Sequence, residues 1–200
     1  MGILLNVPWI TQLQKGSEDP TGCWYASACM VGYAFEAGPR MGLPKLYSKP
    51  LSDGRLGHYA TGSSGASAAN ANHHQDLAKN EGFEAVANCS TDHVYSLSAI
   101  EKLLKNQGPV FMYWFKKDGA PIHRSARTAG DGSYGHASVI IGTDQTGLLF
   151  HDPEYRDEIN GAKRKLSLDD FNKSRQFWKW ALMQKAGKTR ADVRPLIVTL

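Results

Sequence analysis

Cys23 stands where a thiol can become a nucleophile. The run Thr21-Gly22-Cys23-Trp24-Tyr25-Ala26 reads as the opening of a helix. Thr21 is a usable N-cap, and Gly22 lets the backbone turn closely before the first helical turn. A thiol in that turn faces backbone N–H groups and the positive end of the helix dipole. Both favour the thiolate, which is the reactive form. Most free cysteines are simply small buried hydrophobes, so the thiol alone decides little. Acyl transfer by a thiol also needs a base, a group that orients the base, and donors for the oxyanion.

Each has a candidate. His136 stands at the mouth of a strand, after Tyr134-Gly135 and before Ser138-Val139-Ile140-Ile141-Gly142, where a rigid sheet would hold it at a cleft. His58, His73, His74, His93, His123 and His151 compete from loops, a polar helix and a strand end, and His136 ranks first on the strand-end argument. Asp152, followed by Pro153, closes the return strand of a hairpin marked by Asp144-Gln145-Thr146-Gly147. A hairpin makes its strands neighbours, so His136 and Asp152 can share one edge. A carboxylate there can fix the imidazole tautomer and stabilise the imidazolium. The Cys23 N–H and an upstream amide, Gln12 or Gln14, qualify as oxyanion donors by position.

The elements that must position these groups follow from periodicity and punctuation. Leu5 to Gln12 is short, apolar and extended, and Pro8 confines it to an edge or loop. The cysteine helix runs to about Ala37, where Gly38-Pro39 stops it. Residues 38–65 read as a long irregular connection, Ala66 to Asn80 as a second helix, and Phe83 to Ala87 as a strand. Ser98-Ala99-Ile100-Glu101 reads as a capping box, and Ile100, Leu103 and Leu104 form the apolar stripe behind it. Val110 to Phe115 and His136 to Gly142 read as buried strands with a loop over 116–135 between them; Leu148 to His151 is a third. A short helix follows Ser167, with strands over Phe177 to Met183 and Leu196 to Leu200. Helices in front and strands behind make an α+β pattern, a helical part over about 1–108 against an antiparallel sheet over about 109–200. The cleft between them is the natural place for a site.

Composition bounds the rest. With 42% hydrophobic and 21% charged residues in a chain of 200, this is an ordinary folded domain, and disordered or fibrous classes are excluded. A net charge of +4, scattered in small clusters such as Lys163-Arg164-Lys165, reads as solvated faces, not a nucleic-acid site. No apolar run is long enough to cross a bilayer, and Met1-Gly2-Ile3-Leu4-Leu5 lacks the features of a signal peptide. Cys23, Cys29 and Cys89 are an odd set without metal-ligand spacing, so neither a disulfide framework nor a metal site is expected, and no cofactor is implied.

Gly22-Cys23-Trp24 opening a helix, Gly135-His136 leading an apolar strand, and Asp152-Pro153 after a hairpin together resemble the papain-like cysteine peptidases. The chain order Gln, Cys, His, Asp is also theirs. The resemblance is nearest to the bacterial branch that includes AvrRpt2-type effector proteases and C39-like peptidases. Its Val-Pro-x-x-x-Gln opening is matched by Val7-Pro8-Trp9-Ile10-Thr11-Gln12, which selects Gln12 over Gln14. Asp152 stands where plant and lysosomal papains carry Asn. The resemblance implies a papain-like fold and a protease acting through Cys23, His136 and Asp152, with Gln12 at the oxyanion. A thiol amidase, deamidase or transglutaminase on the same scaffold stays open, as does, less favoured, a non-catalytic binding module. It also implies a protein substrate, a cognate immunity protein over the cleft, and a bacterial effector or toxin. Such a protein would be secreted without a cleaved leader and act in a target cell's cytoplasm.

Overall fold

The structure is a computed structural model that describes residues 2–13, 22–35, 48–50, 56–58, 75, 77–79, 81–87, 93–177 and 179–194. Its centre is strand β7 (Tyr134–Thr143), buried on both faces from His136 onward. Ala137-Ser138-Val139-Ile140-Ile141 has the continuous, β-branched character of a strand covered on both sides. Each such Ile or Val, fully buried, contributes roughly 1.5–3 kcal/mol.

Around β7 an antiparallel eight-stranded sheet is built from β1 (Ile3–Leu4), β4 (Phe83–Ala85), β5 (Val110–Lys117), β6 (Ala120–Pro121), β8 (Gly147–His151), β9 (Arg164–Ser167) and β10 (Leu182–Lys185). The order is β4-β10-β5-β7-β8-β9, with β1 on β7 and β6 on β5. A two-stranded ribbon, β2 (Ser48–Pro50) with β3 (Leu56–His58), stands apart from it. The α+β antiparallel expectation holds, although β1 and β4 come from the segment read as helical.

Helix α1 (Cys23–Phe35) packs on β7, β5 and β10, with only Tyr25 and Tyr33 less than buried among its 13 residues. A helix apolar on nearly every side belongs in a core. Helix α2 (Leu97–Gln107) lies on β7 and presents Ile100 and Leu104 inward. Two short helices, α3 (Glu158–Gly161) and α4 (Leu168–Ser174), follow the hairpin. Ser167 caps α4 by accepting from the Asp170 N–H at 3.0 Å.

Several boundaries differ from those read in the sequence. The cap of α2 is Ser96, whose Oγ accepts from the Ala99 N–H at 3.2 Å; Ser98 lies inside the first turn and Glu101 bonds Thr143 instead. The span 116–135 is not all loop. β5 runs to Lys117, turns at Asp118-Gly119 with φ of 50° and 77°, and returns as β6. That is a two-residue hairpin with positive φ at both central positions, for which Asp-Gly is a strong signal. Strand β9 lies in a run read as a basic surface cluster, and an edge strand carrying Lys and Arg looks like that in sequence.

The strand read at Phe177 to Met183 starts later, at Leu182. Gln176 N–H donates to the Tyr113 carbonyl and Tyr113 N–H to the Ala181 carbonyl, so Gln176 and Ala181 meet the same residue of β5. Residues 5–13 form no strand; they run as a strap from β7 to β8 and the chain that follows it. The reading of a helix over Ala66 to Asn80 falls largely outside the described residues, with Gln75 and residues 77–79 helical. Gln14, Cys89, most of 38–65 and 196–200 also lie outside them.

Candidate active site

Cross-strand pairing decides which side chains meet. In β5 and β7 the pairs Met112–Ser138, Trp114–His136 and Lys116–Tyr134 share one face of the sheet. β8 pairs His151 with Val139, so Asp152, one step on, falls on the Ser138 and His136 face. His136 and Asp152 thus become diagonal neighbours within side-chain reach.

The contact is made. His136 Nε2 and Asp152 Oδ1 lie 2.7 Å apart, both groups buried. With Nε2 used in this way, Nδ1 is the ring nitrogen left for the Cys23 thiol, which is near enough to raise the imidazole's pKa. The Cys23 Sγ also accepts from the Ala137 N–H at 3.4 Å, tying the first residue of α1 to the strand that carries His136. The Trp114 and Tyr134 rings stand edge-on to the imidazole, with centroids 6.1 and 6.2 Å away. The Trp114 indole donates to Ser138 Oγ at 3.1 Å.

The electrostatics follow. Burial is the largest influence on His136 and pushes its pKa down. The charges of Cys23 and Asp152, with their hydrogen bonds, outweigh it and raise the value to about 9. Burial likewise pushes Asp152 up, and His136 with Lys116 overrides it, holding the carboxyl well below the usual range.

Gly135 has a physical reason. A Cβ there would lie 2.5 Å from the Tyr113 hydroxyl, so only glycine lets that ring lie against β7 on the face opposite His136. Burial first, and neighbouring Cys23 second, push the Tyr113 phenol up.

Sequence reasoning missed Lys116. Its side chain is fully buried, donates to Asp152 Oδ2 at 2.9 Å and also bonds Glu154 Oε2. Glu154 accepts from the Tyr134 hydroxyl at 2.7 Å, and its backbone N–H donates to Asp152 Oδ1 at 3.0 Å. His136, Asp152 and Glu154 are close enough together to ligate a metal ion. The cation these carboxylates meet is the chain's own ammonium, which any metal would have to displace.

Gln12 is buried, and its backbone N–H donates to the Pro153 carbonyl at 2.9 Å, which seats it on the loop that carries Asp152. His151 is a strut: Nε2 meets the Val7 carbonyl at 2.8 Å while Nδ1 accepts from Lys163 N–H at 3.1 Å. His123 pairs with Asp170, and His93 stacks edge-on to Tyr95. Cys29 is buried in α1 and bonds Tyr25. Among the described residues no helix is long and apolar enough to cross a membrane.

Two comparisons bear on this arrangement. A crystal structure described as a C39-like peptidase from Bacillus anthracis superposes with a TM-score of 0.54 at 20% identity, over 94% of this chain and 99% of that one. At that identity the likeness speaks for the fold. A family model described as papain-like cysteine protease AvrRpt2 matches residues 1–176. The fold, the buried thiol beside an imidazole, and this match over most of the chain agree: the protein belongs to the AvrRpt2 family of papain-like cysteine proteases.

Proposed function

We propose that Cys23, His136 and Asp152 are the catalytic triad and that the enzyme cleaves peptide bonds of a protein target. The observation that carries this is the 2.7 Å contact from His136 to Asp152, with the Cys23 thiol held at 3.4 Å by the N–H of the next residue, Ala137. His136 Nδ1 takes the thiol proton, and the thiolate attacks the scissile carbonyl. The Cys23 N–H and the Gln12 side chain stabilise the oxyanion, each contributing about 3 kcal/mol in the manner of other oxyanion donors. The C–N bond breaks as His136 gives its proton to the leaving amine. Water then loses a proton to His136, attacks the thioester, and frees the acid and the thiol.

The biological reading extends this proposal. The AvrRpt2 likeness supports a bacterial effector; action as a toxin inside a target cell, with an immunity protein over the cleft in the producer, is our extension of it. Expression in the bacterial cytoplasm tests this part: arrested growth that Cys23→Ala abolishes supports it, and unaffected growth in every compartment counts against it.

The chemical part is tested by mapping new N-termini by mass spectrometry after a proteome meets the wild type or Cys23→Ala. Discrete fragments should appear with the wild type, and their rate of formation should fall at least about 10⁴-fold in the folded variant. The same fragments from both proteins would overturn the assignment.

A further inference from the structure

We propose that Lys116 is a positioning residue of the triad: its buried ammonium, clamped between Asp152 and Glu154, fixes the Asp152 carboxylate that holds His136. The inference rests on the Cys23–His136–Asp152 reading above and adds a fourth group to it.

The geometry argues for more than packing. Lys116 leaves β5 opposite Tyr134, and its side chain reaches across β7 to the chain that follows β8. Its charge therefore links all three strands on which the site depends. Asp152 has two oxygens, and a single bond from Oδ1 to His136 would leave the carboxylate free to swing. The second bond, from Lys116 to Oδ2 at 2.9 Å, fixes its plane, and Glu154 N–H steadies Oδ1 at 3.0 Å. Such supporting partners hold a reacting group in its productive geometry.

A buried ammonium is costly unless it is fully partnered. Here the Asp152 and Glu154 carboxylates meet it, and the Trp114 and Tyr155 rings lie 5.5 and 5.9 Å from Nζ. Its charge acts on Asp152 and Glu154 after β8; the other titratable groups facing this cluster are His136 and Tyr134 from β7 and Cys23 from α1. Arg164 of β9 stacks on the far partner, Tyr155, at 4.4 Å.

Removing a positive charge from this cluster raises the pKa of every acid in it. The test is the pH profile of Cys23 alkylation by iodoacetamide, read peptide by peptide in the mass spectrometer, so that no substrate need be known. In Lys116→Met, folded by circular dichroism, the acid limb should move up by about one pH unit or more. Lys116→Arg, which keeps the charge, should restore it. Glu154→Gln removes a negative charge and leaves the ammonium to Asp152 alone, so the limb should move down. That variant decides the matter where Lys116→Met does not fold.

A purely structural lysine would lower stability and leave the limb where it is in all three variants. That outcome, with Cys23→Ala inactive, overturns the role of Lys116 and leaves the triad standing. Full proteolysis by Cys23→Ala overturns the triad and this proposal with it.

Discussion

A histidine cut off from solvent is ordinarily neutral at pH 7, and burial does press His136 that way. That its pKa nonetheless rises to about 9 means the neighbouring anions win. A folded-state value above the ordinary 6.5 contributes stability that is fully present below about pH 6.5 and lost as pH rises through about 9. Activity that needs the imidazolium to protonate the leaving amine should fail over the same rise. We expect kcat/KM on a peptide built from a mapped cleavage site to fall as pH passes about 9. Asp152→Asn keeps a partner for Nε2 but removes the charge. Its high-pH limb should therefore move down by at least one unit, with a loss of about 10⁴-fold at neutral pH. A limb that stays put would show that Asp152 does not set the charge state of His136. His136 and Asp152 were readable in the sequence because strand ends joined by a hairpin must be close. Lys116 was not: beside Lys117 at the end of an apolar run, it looks like the first solvated residue. Its burial belongs to three strands at once, which no local pattern encodes.

The hairpin of β7 and β8 does the same work at the scale of elements, because the pairing of Val139 with His151 sets which face Asp152 occupies. A one-residue slip would send the carboxylate to the opposite face. Hydrophobic runs located β5, β7, β8 and α1 in the sequence, because burial and period coincide there. Ends and edges were harder, since short polar strands such as β9 are made by their neighbours and not by their own residues. The start of α2 shows the limit. Ser98 and Glu101 have capping-box spacing, yet the cap is Ser96, which accepts from the Ala99 N–H without a carboxylate to complete a box, and only the backbone chooses. Ser96→Ala should cost about 1 kcal/mol in urea unfolding, and Ser98→Ala a few tenths at most. The reverse order would return the cap to Ser98.

Across the whole molecule, the segment from Ile3 to Leu13 binds the sheet to the site. β1 pairs with Thr143 and Gly142 where β5 has ended, and Leu5 N–H continues the ladder to the Ile141 carbonyl. The Val7 carbonyl meets His151, the Trp9 indole donates to the Asp152 carbonyl at 2.8 Å, and Thr11 Oγ donates to the Tyr155 carbonyl at 2.5 Å. Nothing in Leu5 to Gln12 beyond its apolar character and Pro8 announces these partners, which lie more than 140 positions away. Trp9 is the test of whether this strap matters to the site. Its indole fills space that exists because residue 161 is glycine, where a Cβ would lie 2.5 Å from Nε1. Trp9→Phe keeps an aromatic ring and deletes the donor, leaving the Asp152 carbonyl short of a partner. It should cost about 1–3 kcal/mol in urea unfolding. Because the lost bond holds the backbone of Asp152, whose side chain bonds His136, the alkylation rate of Cys23 in the folded variant should also fall several-fold. Gly161→Ala presses on the same ring from outside and should cost about 1–3 kcal/mol by overpacking. Stability lost in both variants with Cys23 reactivity unchanged would make the strap a brace for the sheet alone.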